Sequence, residues 1–216
     1  MAGSSKDHYD SILQNSYDTL HTYVSSGGWS VVKQTGGITV SSMPSDNGIK
    51  IYKAVGEITT TPQMTLEYLI PGPGRVRRKW DHSVKDWNLV ETVNESSIVL
   101  QSITKSYAWG LISSRDFVDL IKWGCVEDSG LYYTCAHGID HPSCPESSSY
   151  VRGWNYPCGM LCYPTDNGKT KMYYMLQCDI RGYLPTSLVE SSIPSSMVDV
   201  YSGLQGAVDA ELLSSH

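Results

Sequence analysis

Five residues in the second half of the chain have the types that bind soft metal ions. His137, His141, Cys144, Cys158 and Cys162 are spaced H-x3-H-x2-C and then C-x3-C. Zinc takes such nitrogen and sulfur donors in a tetrahedron. The spacing matches no standard finger, however, and an extended strand does not bring positions i and i+4 onto one tight face as a helix does. The preferred reading makes the cysteines small apolar residues and lets the histidines flank a loop. Nucleophilic chemistry has no better support. A serine or cysteine nucleophile needs an adjacent base, and neither a G-x-S-x-G elbow nor a reactive-cysteine signature is present. Asp86, Glu91, Glu95, Asp116 and Asp119 are not spaced like a glycosidase pair. No glycine loop of the phosphate-cradling kind occurs. The expectation is a protein that is not an enzyme and needs no cofactor or metal.

Two charged features remain. The stretch LISSRDFVDLIKW (111–123) sets Arg115-Asp116 between apolar runs. It reads as a pair near the surface that holds the base of a loop by local hydrogen bonds or an ion pair, contributing roughly 0–1 kcal/mol. The run Arg75-Val76-Arg77-Arg78-Lys79 is either a phosphate or anionic-lipid patch or a solvated loop edge. The net charge of −6 favours the loop edge.

That net charge, with no larger basic cluster, also disfavours nucleic acid as a partner. A chain of 216 residues fits one domain or two small ones, and a single core of that size buries roughly 70% of the surface exposed on unfolding. It has material to spare for a cavity. The aromatic usage, 15 Tyr and 6 Trp against one Phe, suits sites that are wet or that line something amphipathic, because the polar tips need partners. The N-terminus has no apolar signal core, and no run reaches the ~18 apolar residues of a membrane span. These features lead to the expectation of a cytoplasmic protein, with its six cysteines as free thiols.

The elements that must position these residues follow from periodicity. Tyr9, Ile12, Leu13, Tyr17, Leu20 and Val24 share one face of a helix over 8–24, ended by Gly27-Gly28. Strand-like segments follow at 29–34, 38–43 and 49–58, divided by Gly36-Gly37 and Asp46-Asn47-Gly48. Thr61 caps and Pro62 opens a short helix over 62–70. Further strands are expected at 87–93, 97–104, 116–125, 131–139, 150–162 and 171–181, with a polar loop at 142–149. Turns without helices separate most of them, which argues for antiparallel pairing. Val189, Ile193, Met197, Tyr201, Leu204, Val208 and Leu212 form one helical stripe, which Pro194 either kinks or begins. From Ser195 to Leu213 that helix would be about 28 Å long, enough to lie across a sheet. The class is α+β: an N-terminal helix and tail (1–26) packed on a single domain over 27–213.

Four ordered segments then resemble a known family. RRKWDHSVKDWNLVE (77–91), LISSRDFVDLIKW (111–123), YVRGWNYPCGMLCYP (150–164) and MLQCDIRGYLP (175–185) are similar to the StAR-related lipid transfer (START) domain. The YVRGWNYPCG form and the opening GGWSVVKQTGGITVSS (27–42) resemble its small cytosolic sterol- or bile-acid-binding subgroup. The resemblance runs from about residue 27 to 208. It implies a helix-grip fold, a long curved antiparallel sheet around a C-terminal helix with a hydrophobic tunnel between them. It also implies a monomeric, non-enzymatic carrier of a sterol or steroid-like lipid that touches membrane surfaces transiently. The alternatives are a bile acid, a carotenoid or another rigid apolar cargo, a ligand-sensing module, or an enzyme on the same scaffold.

Family members that bind cholesterol often place an acid and an arginine in the tunnel near the sterol hydroxyl. The corresponding positions are Ser102 and Ile121, so the charged pair is absent. Strand alternation puts Phe117, Asp119 and Trp123 on the face of Ile121. Asp119 then either accepts a hydrogen bond from a ligand hydroxyl or pairs with a lysine or backbone group outside the tunnel. Ser102 would bond the ligand directly or through water. Asn155 matches a tunnel-facing position, Arg77 an arginine of the cytosolic subgroup, and Tyr174 joins them as a candidate contact. Met197 and Tyr201 would form the tunnel floor. The segment 105–114 aligns with the family's gating Ω-loop, in which Trp109, Leu111 and Ile112 would be the gate, entering the membrane interface or plugging the tunnel.

Overall fold

The computed structural model describes residues 2–106 and 110–214. The alternating segments become β1 (Ser30–Thr35), β2 (Ile38–Met43), β3 (Ile51–Ile58), β4 (Val84–Asn94), β5 (Ser97–Thr104), β6 (Arg115–Val126) and β7 (Leu131–Gly138). After a loop come β8 (Val151–Arg152), β9 (Trp154–Asn155), β10 (Cys158–Pro164), β11 (Thr170–Leu176) and β12 (Cys178–Asp179). The main sheet runs β1-β2-β3-β11-β10-β7-β6-β5-β4, antiparallel throughout. The short β8 attaches to β6 in the parallel sense.

Four helices surround it: α1 (Ala2–Ser25), α2 (Pro62–Leu69), the single turn α3 (Arg77–Trp80) and α4 (Thr186–Ser214). Helix α2 begins as its sequence requires, with the Thr61 hydroxyl accepting from the Met64 N–H at 3.3 Å and Pro62 in the first turn. Helices α1 and α4 cover opposite faces of the sheet. On one face Leu13 and Leu20 of α1 pack with Val118, Leu120, Leu131, Leu161 and Met175. On the other, Ile193, Met197, Val200, Tyr201, Leu204 and Val208 of α4 pack with Val40, Ala54, Ile58, Met160 and Met172. Successive residues of β11 divide accordingly, Met172 and Tyr174 to the α4 side and Tyr173 and Met175 to the α1 side. Each large apolar side chain so buried contributes about 1.5–3 kcal/mol.

Two elements differ from their sequence-based expectation. The strand expected at 150–162 is three pieces. Pro157 has no N–H to continue a ladder, and Trp154–Asn155 leaves the main sheet to pair with β12. Gly153 sits where a Cβ would come within 2.2 Å of the Phe117 ring, so the chain passes there only as glycine. The strand expected at 171–181 likewise breaks at Gln177, whose amide donates to the Ile49 carbonyl, the Ser45 hydroxyl and the Asn47 side chain, each at 3.0 Å. Helix α4 begins at Thr186 and contains Pro194, so of the two readings of that proline the one that keeps it inside the helix applies.

Candidate functional site

Between α4 and the inner face of the sheet lies a cavity of about 280 Å³. Its walls come from both ends of the topology. Phe117, Asp119 and Ile121 of β6 form one side, Ser102 of β5 and Trp87 of β4 adjoin them, and Tyr174 and Leu176 of β11 close the other. Helix α4 contributes Ser192, Ile193, Ser196 and Val200. Strand alternation explains the β6 wall, since residues two apart share a face. Most of the lining is apolar, with a few polar groups fixed in it.

Asp119 is the principal one. Its residue is 6% exposed. Oδ2 accepts a hydrogen bond from Asn155 Nδ2 at 3.0 Å, while Oδ1 is buried with no partner among the described residues. Burial pushes this carboxyl up to about 7, against the Asn155 bond and the charge of Arg152, which pull it down. The thiols of Cys158 and Cys178 also line the cavity, and burial raises both. They are therefore neutral near pH 7. Tyr174 is raised by burial in the same way.

Arg77 reaches the cavity from α3. Its Nε donates to Asp81 Oδ2 at 2.9 Å and its Nη1 to the Leu69 carbonyl at 3.1 Å. The guanidinium lies 5.8 Å from the ring centroids of both Trp80 and Trp87, a cation–π arrangement.

The Arg115-Asp116 pair requires correction. Both residues are buried, at 4% and 0% exposure, and they point to opposite faces of β6. Asp116 pairs with Arg152 Nη2 at 2.8 Å and accepts from Gln101 Nε2 at 2.8 Å on the outer side. Arg115 lines the cavity. It spends its donors on main-chain oxygens: Nε on Ile180 at 3.0 Å, Nη2 on Arg181 at 3.2 Å, and Nη1 on the carbonyl of Ser113, with the Ser113 hydroxyl at 2.9 Å. It therefore holds the base of the loop, as expected, but as a buried clasp between 110–114 and 180–182. The surface value of 0–1 kcal/mol does not apply to either charge.

Of the residues singled out from the sequence, Arg77, Ser102, Asp119, Ile121, Asn155 and Tyr174 meet at this cavity. Met197 and Tyr201 do not line it. Both are buried against the sheet, and the Tyr201 hydroxyl donates to the carbonyls of Met172 at 2.7 Å and Ala54 at 3.1 Å. They mark the centre of the packed stripe, while the cavity sees the row one residue earlier, Ser192, Ser196 and Val200. Among the gate residues, Ile112 is buried and lines the cavity, Leu111 is 69% exposed, and Trp109 lies outside the described residues. The metal-type residues disperse. His137 bonds the Gly138 carbonyl, His141 bonds Glu91 and Cys162 is in the core, and no metal-holding group of three occurs among the described residues. Arg115, Cys158, Cys178 and the α4 serines were not anticipated. For Arg115 the signal was present, because it has the same strand parity as Phe117 and Asp119.

A START domain family model matches residues 16–210. The chain belongs to the START domain family. Among START relatives, StAR-related lipid transfer protein 5 of Bos taurus is 37% identical over 184 residues, covering 84% of this chain and 86% of that one. StAR-related lipid transfer protein 6 of Homo sapiens is 33% identical over 190 residues, 86% of this chain and 84% of its own. The structure of human StAR-related lipid transfer protein 5 superposes with a TM-score of 0.88 at 31% identity, over 95% of this chain and 98% of that one. The helix-grip reading of the sequence is thus the START fold, and the chain fits the family's small members. No helix among the described residues is long and apolar enough to cross a membrane.

Proposed function

We propose that this START domain is a non-enzymatic carrier that holds one sterol or steroid-like molecule between α4 and the sheet and transfers it between membranes. One observation carries the reading: a largely apolar cavity whose walls hold the polar pair Asp119–Asn155 and the Arg77 guanidinium. At about 280 Å³ the cavity stands at the lower edge of the ~300–1,000 Å³ range of small-molecule sites. That size favours one rigid molecule over a two-chain lipid. Ser102, Ile121 and Tyr174 complete the proposed contacts, and the exposed Leu111 beside buried Ile112 is the proposed membrane-touching gate. The neutral Cys158 and Cys178 thiols supply no thiolate nucleophile, which supports carriage over catalysis. Six free cysteines suit a reducing cytoplasm, where the reading has the protein work as a monomer.

Denaturing extraction of the purified chain followed by mass spectrometry tests this. A sterol or steroid retained at near-stoichiometric amount supports the proposal. A bile acid or carotenoid in its place would keep carriage and change the cargo. Turnover of a labelled ligand would overturn the non-enzymatic reading.

A further inference from the structure

Basic residues are in the minority on this chain, with 16 Lys and Arg against 22 Asp and Glu. Yet Arg75, Arg77, Arg78, Lys79 and Lys85 crowd into one short segment, where Asp81 is the one acid. Asp81 is buried and taken by Arg77 at 2.9 Å. Asp81 itself borders a second hollow, about 200 Å³ and mainly polar, whose other polar walls are Arg78, His82, Lys85 and Lys105. Lys105 is distant in sequence but is brought there by its backbone N–H, which donates to the Ser83 carbonyl at 3.0 Å. Lys85 and Lys105 form no ion pair among the described residues. Arg78 meets Asp86 at 2.9 Å, but with both side chains 47% exposed that bond is weak and open to competition from an anion.

The position of the hollow says which anion. It shares Val84, Trp87 and Lys105 with the lining of the main cavity. Lys105 also stands at the start of the loop that carries exposed Leu111 and cavity-lining Ile112. A soluble anion would gain nothing from Leu111. A bilayer surface offers phosphates and an apolar layer together. A nucleic acid would meet a protein of net charge −6 through a patch of four side chains, too little for a phosphate backbone.

We propose that this hollow binds the phosphate of anionic phospholipid headgroups in a bilayer surface and so seats the cavity's gate side on the membrane. The purpose of such a site rests on the carrier reading, but its existence does not. The test is cosedimentation of the full chain with vesicles of phosphatidylcholine alone or mixed with phosphatidylserine. Binding is expected only to the mixed vesicles, and it weakens as salt rises. Each cation near the surface is worth roughly five-fold in partition, so R78Q/K85Q/K105Q loses about a hundred-fold. K6Q/K169Q/K171Q, with the same change in net charge on other surfaces, keeps binding within a few-fold. Equal losses in the two triple variants, equal binding to neutral vesicles, or displacement by low millimolar inorganic phosphate at constant ionic strength would each overturn the proposal. Retained cargo is measured on the same preparations. Wild-type protein that holds cargo but ignores anionic vesicles sinks this inference and leaves the carrier. Vesicle binding by protein that carries no lipid does the reverse.

Discussion

Asp119 is an acid placed where ionisation is costly, and the cost can be read from the pH dependence of stability. In the folded chain its carboxyl is pushed up to about 7 from an ordinary 3.8, chiefly by burial. The sign follows from linkage. A raised folded pKa means that the native state holds its proton between about pH 4 and pH 7 while the unfolded state has lost it. Stability contributed by this residue therefore falls as pH rises through that window, and the full penalty applies above pH 7. At ~1.36 kcal/mol per pH unit, the fall between pH 5 and pH 8 is about 2–3 kcal/mol. Asp119→Asn has nearly the shape of the protonated acid and cannot ionise. At pH 5 wild type already carries about 1–2 kcal/mol of this penalty, so the variant, whose carbonyl still accepts from Asn155, should be more stable by roughly that amount. At pH 8, where the full penalty applies, it should be more stable than wild type by about 4 kcal/mol. Urea denaturation of ligand-free protein at pH 5, 6, 7 and 8 measures both. The charged and titratable groups around the acid are Arg152, Cys158 and Cys178. None of them changes charge in this interval, because burial holds the thiols neutral. A difference between variant and wild type that stayed constant from pH 5 to pH 8 would refute the buried-acid reasoning.

Three further outcomes follow from the same contacts. Arg115→Met removes the clasp between 110–114 and 180–182. Amide exchange in both segments should rise together by roughly ten-fold, about the worth of one charged hydrogen bond, with the sheet centre unchanged; independent behaviour of the two segments would contradict a shared clasp. Asp116→Ala leaves Arg152 buried without its acid and should cost about 3–5 kcal/mol in the urea midpoint. The double change with Arg152→Met should be milder, and equal costs would argue against the pair. Ser196→Phe fills the cavity from α4 and should abolish cargo retention with little change in Tm. Tyr201→Phe, which strips a donor from the Ala54 and Met172 carbonyls, should do the opposite, losing about 1–3 kcal/mol of stability and keeping cargo.

The sequence was most legible where burial follows a simple period. The α1 face, the β6 parity and the α4 stripe were all visible, and they suffice for an α+β sheet gripped by a helix. The breaks in 150–162 and 171–181 were not, because they depend on partners distant in sequence. Gly153 is dictated by the Phe117 ring, and Gln177 is drawn off by Ser45, Asn47 and Ile49. Local pattern holds no record of such contacts. Arg115 is a different kind of miss. Adjacent strand residues face opposite ways, so the rule that placed Asp119 and Ile121 on the cavity wall also separates Arg115 from Asp116. Opposite charges next to each other in the sequence suggested an ion pair that the strand geometry forbids.

The misplaced α4 residues show why cavity walls are harder to read than cores. A helix face packed on a sheet is as apolar as it can be, and Met197, Tyr201, Leu204 and Val208 announce it. A face looking into a cavity has no protein atoms to fit and tolerates Ser192 and Ser196 beside Ile193 and Val200. Hydrophobic periodicity therefore finds the stripe that holds the helix down and passes over the one turned toward a ligand. The same holds for Arg115, which a pattern of burial would assign to the surface. Sites of function are where sequence-level rules are expected to fail. In this chain Arg115, Ser192 and Ser196 lie on one cavity, and that shared place is itself an argument that the cavity is used.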